Sequence, residues 1–255
     1  MNRRVFLLIS IFSLLKIKDT KASKKQENKI LYTAYSDYGK FFFGAFHVNG
    51  KLKYKVELDH RAHDLALINS INQICLVSRR PNNKLTIIDL NQGKVKQEII
   101  APAGRHFYGH AAYDVFSKLL YVTENNYKYN DNRAGVIAIY DPFNSYKRVG
   151  EINSNGIGPH EIKINSIGNI VIANGGILTH PDYPRIKLNL TNINSNISII
   201  DSNSGRLINV LQLHKSLKSN SIRHLDLDEE DNLFFACQNY SNNNKKQLPL
   251  IFSYY

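Results

Sequence analysis

The chain has 255 residues, of which 43% are hydrophobic and 11% aromatic, with 15 Tyr, 12 Phe and no Trp. This length suits one large domain or two small ones, and the apolar content is enough for a sizeable core. The formal net charge is +12, but no Lys/Arg cluster is interleaved with aromatic residues as in known nucleic-acid-binding motifs. We therefore expect no nucleic-acid partner.

The first 22 residues are typical of an export signal. Arg3 and Arg4 precede a short apolar segment that continues to Leu15, and Ala22 offers a small residue for cleavage. The order R-R-x-F-L resembles a twin-arginine signal, with an ordinary secretory signal as the alternative. The apolar segment is too short for a transmembrane span. We expect a signal at 1–22, a polar linker at 23–29, a periplasmic location and no membrane span after cleavage.

From residue 30 onward, short apolar runs alternate with turn residues, which is typical of an all-β chain. The stretches 63–68, 71–80, 84–90 and 94–100 read as four strands joined by turns. Two further units follow the same plan. Four-stranded units of this length predict the blades of a β-propeller over residues 30–255.

The two ends of the repeat region do not follow the four-strand plan. The first unit offers three strands, and the last offers HLDLD, NLFFACQNY and LPLIFSYY before the chain stops. An open ring would expose unpaired strand edges. Either the ring is unusually small, or the chain lacks its last blades; we favour a frame truncated at its C-terminus.

Two residue types recur at fixed places in the repeat. An Asp ends the third strand in IIDLNQGK, AIYDPFNS and IIDSNSGR, where it should start the turn by hydrogen bonding to the backbone. Cys75 and Cys237 both stand in the second strand of a unit. We expect both to be buried, unpaired thiols, because equivalent positions in separate repeats rarely come within bonding distance.

A histidine opens the first strand of four units, with spacings of 47, 50 and 64 residues. In a blade the first strand lines the central channel, so these side chains should converge there. Converging imidazoles could bind a transition metal, hold a haem edge or relay protons. Alternatively, they contact substrate, or each hydrogen-bonds a neighbouring blade and locks the ring. The four candidate metal ligands are His63, His110, His160 and His224.

Other polar residues are candidates for ligand binding. Glu161 should alternate to the other face of its strand, away from the histidines. The ends of second strands and the starts of first strands should lie on opposite faces unless long loops fold inward. Three arginines could bind a carboxylate or phosphate: Arg79, Arg105 and Arg223. A long insertion after 174 contains His180, Arg185, Lys187 and Asn189, and insertions of this length are often binding loops. The full candidate set is Arg105, His106, Tyr108, Glu124, Asn125, Glu161, Asn174, His180 and Arg223.

No familiar catalytic motif is present in the sequence. It has no G-x-S-x-G elbow, H-E-x-x-H helix, haem-attachment CxxCH or phosphate loop.

Several sequence segments resemble those of the bacterial family catalogued as domain of unknown function 1513. They include R-H-F-Y-G-H (105–110), Y-V-T-E-N (121–125), G-I-G-P-H-E (156–161), A-N-G-G-I-x-T-H-P (173–181) and S-I-R-H-L (221–225). The resemblance runs from the twin-arginine-like start to about Gln238. It implies an exported propeller, seven-bladed and related to YVTN and quinoprotein amine dehydrogenase β-chain-like repeats, of which this chain would supply about five blades.

The resemblance also bears on function. Genes of the family often neighbour those of imelysin-like and di-haem oxidoreductase-like proteins, which implies partners that handle iron or redox cofactors in the periplasm. We therefore expect a non-enzymatic module that binds a ligand, metal or partner. One alternative is a propeller enzyme of the lactonase or dehydrogenase type that uses Glu124, Glu161 and a histidine. Another is a scaffold or non-functional fragment.

Overall fold

A computed structural model describes residues 29–80, 82–183, 186–241 and 249–254. The predicted signal segment at 1–22, and the linker up to residue 28, lie outside the described residues. The described chain is all-β, as predicted, with short 3₁₀ helices at Asn69–Ile71, Leu190–Asn192 and Lys215–Leu217. None of the helices in the described ranges has the length and apolar character of a membrane span.

The strands fall into five sheets, each built from consecutive strands. The first sheet contains β1 (Ile30–Asp37), β2 (Lys40–His47) and β3 (Leu52–Leu58). The second contains β4 (Ala62–Ile68), β5 (Gln73–Ser78), β6 (Lys84–Asp89) and β7 (Lys94–Ile100). The third contains β8 (Arg105–Tyr113), β9 (Leu120–Asn126), β10 (Gly135–Asp141) and β11 (Lys147–Asn153). The fourth contains β12 (Pro159–Ile164), β13 (Ile170–Asn174), β14 (Asn196–Ile200) and β15 (Leu207–Gln212). The fifth contains β16 (Asn220–Leu227), β17 (Leu233–Asn239) and β18 (Ile251–Tyr254).

This topology confirms the predicted repeat of three four-stranded units flanked by two three-stranded ones. In the second to fifth sheets, each strand pairs antiparallel with its sequence neighbour. The predicted turn-starting aspartates are also confirmed. The Oδ1 atom of Asp89 accepts from the backbone N–H groups of Asn91 and Gln92 at 2.9 Å, and Asp141 and Asp201 act in the same way.

By compactness the described chain divides into two units. The smaller contains residues 29–33 and 44–55, and the larger contains 34–43 and 56–254. All the site residues discussed below belong to the larger unit.

The second strand of each four-stranded sheet is buried along its whole length, whereas the fourth strand contains only exposed and half-buried residues. Apolar side chains from neighbouring sheets therefore pack together in clusters; Ile87 of β6 and Val122 of β9 belong to the same one. Cys75 and Cys237 are buried and unpaired, as predicted. The first strands of the second to fifth sheets, which carry the four histidines, each lie at one edge of their sheet.

Candidate metal centre

Each of the four histidines lies in the first strand of its sheet, next to a β-bulge. In β4 the register passes from Ala62↔Ser78 to Asp64↔Val77, so His63 is the extra residue. Equivalent irregularities occur at 108–110 in β8, at 160–161 in β12 and at 223 in β16. Bulges interrupt the ladder and redirect side chains, and they are frequent beside functional sites.

The prediction that the histidine opens its strand is wrong for two of the four. The strand β8 begins at Arg105 and β16 begins at Asn220, so His110 and His224 lie well inside their strands. In both strands, residues that precede the histidine are already paired with the second strand of the sheet. The bulge, rather than the strand end, sets the direction of the imidazole.

The four imidazoles converge, as the repeat predicted. Ring centroids lie 4.9 Å apart for His63–His110, 4.8 Å for His110–His160 and 4.9 Å for His160–His224. The two remaining contacts are 5.7 Å for His63–His160 and 5.4 Å for His110–His224. Donor atoms of His63, His110 and His160 lie within 4.8 Å of one another. Four sheets thus supply one ring each to a single cluster.

His110 is the buried centre of this cluster. Its Nδ1 lies 3.3 Å from Oδ2 of Asp64 and 3.2 Å from Oε1 of Glu161, in ionic contacts without the alignment of a directed hydrogen bond. Burial opposes the charged form, but these two carboxylates outweigh it and raise the pKa of His110 to about 9. The Nε2 atom of His110 is buried with no partner among the described residues.

Glu161 connects two of the histidines. Its Oε2 accepts a hydrogen bond from Nδ1 of His224 at 2.9 Å, in addition to the His110 contact. Burial would raise the pKa of Glu161, but His110 and His224 lower it to about 2. The expectation that alternation carries Glu161 away from the histidines is wrong, because the bulge at 160–161 changes the alternation of β12.

The other two rings are held neutral. Burial, followed by the charge of His110, lowers the pKa of His63 to about 4. The same two causes, with Arg223 next, strongly lower the pKa of His160, whose Nδ1 is buried without a partner in the described chain. A neutral imidazole is the form that ligates metals.

The glycine in Y-G-H leaves room for this convergence. Gly109 has φ +115°, a conformation that side chains disfavour, and a Cβ there would lie 2.4 Å from Cδ2 of His63. Any larger residue would push His63 out of the cluster.

A cavity of about 320 Å³ opens beside the histidines. His63, His160 and His224 line it, together with Arg79, Arg80, Tyr108, Lys187, Arg223, Gln238 and Tyr240. The expectation that second-strand ends lie opposite to first-strand starts is wrong. Antiparallel pairing places the end of β5 beside the start of β4, with Ala62 opposite Ser78.

The sequence prediction missed Asp64, Gln238 and Tyr240. The sequence contains signals for two of them. Asp64 directly follows His63. Tyr240 is the first residue after β17, and Arg79 is likewise the first residue after β5. Equivalent positions in the repeat therefore face the same cavity.

Glu124 and Arg105, both predicted ligand-binding residues, belong to an ion-pair network instead. Glu124 is fully buried, and its Oε1 lies 2.6 Å from Nη1 of Arg148. Arg105 contacts Glu124 at 3.3 Å and Glu151 at 2.9 Å. These carboxylates and guanidinium groups are engaged with one another and do not line the cavity beside the histidines.

The remaining candidates hold the inserted segment and its surroundings. The side-chain amide of Asn125 donates to Thr179 O at 3.2 Å, and Tyr108 Oη donates to Ile177 O at 3.1 Å. Asn174 donates to Ser154 O and Asn196 Oδ1.

The rings of His106 and His180 lie against aromatic residues. His106 stacks between Tyr108 and Tyr127, and burial, then Arg80, lowers its pKa to about 4. His180 packs edge-on against Tyr127 at 5.0 Å. Arg185 lies outside the described residues, whereas Lys187 reaches the cavity.

The chain is similar in fold to three solved structures. Kuenenia stuttgartiensis hydrazine synthase has a TM-score of 0.64 at 15% identity, over 89% of this chain and 59% of that one. The structure titled Dos1 propeller has a TM-score of 0.54 at 13% identity, over 82% of this chain and 50% of that one. The WD40 β-propeller domain of Doa1 has a TM-score of 0.54 at 14% identity, over 79% of this chain and 58% of that one.

These matches establish the fold and no more, because the identities are so low. The sheets of this chain are blades of a β-propeller, as the repeat predicted. The chain spans between 50% and 59% of the length of the structures it matches. No curated protein matches it. The family described as Protein of unknown function (DUF1513) matches residues 56–254, and the chain belongs to that family.

Proposed function

We propose that this protein is a metal-binding module whose ligands are the imidazoles of His63, His110, His160 and His224. The observation that carries the proposal is their convergence from four successive sheets, with centroids 4.8–5.7 Å apart. Rings that only locked neighbouring blades would hydrogen-bond the backbone, yet ring nitrogens of His110 and His160 are buried without a partner in the described chain. Unpaired buried polar atoms are costly unless something satisfies them.

The carboxylates support the same assignment. Ligating histidines usually direct their second nitrogen at a carboxylate, which fixes the ring and makes it a stronger ligand. Nδ1 of His224 is directed at the carboxylate of Glu161. Nδ1 of His110 is directed at the carboxylates of both Glu161 and Asp64. The Nε2 atoms of both rings are then the ligand atoms.

The donor set indicates the class of metal. Imidazole nitrogens suit Zn²⁺, Cu²⁺, Ni²⁺ and Fe²⁺, whereas Mg²⁺ and Ca²⁺ prefer oxygen. His110, whose pKa is raised to about 9, would release its proton when the ion binds. In a tetrahedral site with metal–nitrogen bonds of about 2.0–2.1 Å, ligand nitrogens are about 3.3 Å apart. The donor atoms of His63, His110 and His160, within 4.8 Å of one another, would therefore draw together on binding.

Metal titration of the full chain tests the proposal. After treatment with a chelating resin, the protein is titrated with Co²⁺, whose visible spectrum reports nitrogen ligation, and with Zn²⁺ in competition. We expect one ion per chain, and at least about a hundredfold weaker binding in the double variant His160→Ala, His224→Ala. His214→Ala is the matched control, because His214 is exposed and its imidazole hydrogen-bonds neighbouring Ser216. No bound ion, or unchanged binding in the double variant, would refute the assignment.

The sequence supports a location and partners for this module, which we also propose. The arginine pair and apolar segment at 3–15 favour export to the periplasm, and the family resemblance favours partners that handle iron or redox cofactors. Fractionation of cells that express the full chain tests export. Arg3→Lys, Arg4→Lys should abolish twin-arginine export and leave secretory export intact; recovery of both forms only from the cytoplasm would contradict the location.

A further inference from the structure

The cavity beside the histidines has a strongly cationic wall. Its charged lining residues are Arg79, Arg80, Lys187 and Arg223, and no Asp or Glu of the described ranges lines it. None of these four cations forms an ion pair within the part of the chain that the structure describes. Asp64 and Glu161, the carboxylates nearest the histidines, line a different hollow. The histidine cluster therefore separates an acidic side from a basic one.

Arg223 shows that this wall is built into the fold. It is the extra residue of the bulge in β16 and only 9% exposed. Its Nη2 donates to the Tyr240 hydroxyl at 3.1 Å, and its Nε is buried without a partner among the described residues. A buried guanidinium without a counter-charge is costly, so a bound anion would offset that cost.

Two of the other three cations are positioned by aromatic rings. The guanidinium of Arg80 lies over the ring of Tyr108 at 5.5 Å, and Nζ of Lys187 lies over the ring of Tyr240 at 5.1 Å. Tyr240 is itself fixed by donating to Gln238 Oε1 at 2.6 Å. Such contacts hold a cation in place without neutralising its charge.

From this arrangement we propose that the cavity binds a small oxyanion that carries two or more carboxylate or phosphate groups. Guanidinium groups recognise both kinds of group in a bidentate way. The volume of about 320 Å³ is at the low end of small-molecule sites, which are about 300–1,000 Å³. Three histidines share this wall, so one oxygen of the anion would reach the metal of the proposed function. The anion site itself requires only the cationic wall.

Calorimetric titration of the metal-free full chain tests the proposal with two probes. Inorganic pyrophosphate represents phosphates, and tricarballylate, a weakly chelating tricarboxylate, represents carboxylates. We expect one site per chain for at least one probe, with affinity that falls as salt is added. The double variant Arg79→Gln, Arg80→Gln should bind at least about tenfold more weakly. Both side chains are at least partly exposed, so the variant should fold.

Arg206→Gln is the control, since it removes one exposed guanidinium that does not line the cavity. It should bind each probe within about twofold of wild type. No binding of either probe at millimolar concentration, or equal binding by the double variant, would overturn the proposal. Because the anion titration uses metal-free protein, its failure would not contradict the metal assignment. Failure of Co²⁺ binding would likewise not contradict the anion site.

Discussion

The Oε2 atom of Glu161 accepts a hydrogen bond of 2.9 Å from Nδ1 of His224, which lies 63 residues further along the chain. The same carboxylate contacts His110 through its other oxygen. One glutamate therefore orients histidines from two different sheets and leaves Nε2 of each ring free to point elsewhere. Removing its charge should disturb both rings together.

Glu161→Gln should lower the pKa of His110 from about 9, because one of its two carboxylate contacts is lost while Asp64 remains. The pH titration of His110 followed by NMR in metal-free protein measures this change. The same variant should weaken Co²⁺ binding by about 10–100-fold, as loss of an orienting carboxylate does in other sites. Gln238→Glu is a suitable contrast, since it adds a carboxylate to the cavity wall instead. An unchanged His110 titration in Glu161→Gln would contradict the role given to Glu161.

The stability of the metal-free protein should pass through a maximum near neutral pH. His63 and His106 have pKa values lowered to about 4, so the folded state binds fewer protons than the unfolded state between about pH 4 and the ordinary histidine value. Stability therefore rises with pH across that window. His110 has a raised pKa of about 9. Its contribution is fully present below the ordinary histidine pKa and is lost as pH rises towards 9.

Urea unfolding at a series of pH values checks this profile. The falling limb between neutral pH and pH 9 should disappear in His110→Asn, whereas the rising limb should remain. A profile that falls equally in the variant would show that another group causes the loss.

Glu124→Gln should destabilise the fold without affecting metal binding. The fully buried carboxylate offsets the charges of Arg148 and Arg105, and removing one partner of a buried ion pair costs about 3 kcal/mol or more. The free energy of unfolding in urea measures the loss, and Arg148→Met in the same chain should recover part of it. Asp131→Asn, in an exposed pair with Arg133, should leave stability near that of wild type. Loss of Co²⁺ binding in Glu124→Gln would instead return Glu124 to the site.

Gly109→Ala should weaken metal binding by at least about tenfold. The new Cβ would lie 2.4 Å from His63, at a φ of +115° that alanine disfavours. The cobalt titration measures the effect. Gly150→Ala is the control, because its Cβ would meet only Cδ1 of Ile139, at 3.7 Å. Equal affinities of the two variants would show that His63 is dispensable.

The repeat explains why much of the architecture could be read before the structure. Alternating runs, the turn-starting Asp89, Asp141 and Asp201, and the buried Cys75 and Cys237 all reflect local rules that recur from one sheet to another. Strand ends and side-chain partners were less predictable. Residues 105–109, which precede His110, form part of a strand that contains a bulge. No characteristic amino-acid composition marks a bulge in the sequence.

Four histidines at one repeated position of an all-β propeller can be predicted from the chain alone, because strand periodicity and turn chemistry are local properties. What surrounds these histidines depends on how the strands pair. That pairing directed Glu161 towards the histidines, enclosed Glu124 within an ion-pair network and brought Arg80, Lys187 and Tyr240 to one cavity wall. Bulges and antiparallel register set where side chains point, and both depend on pairing between strands rather than on any one strand.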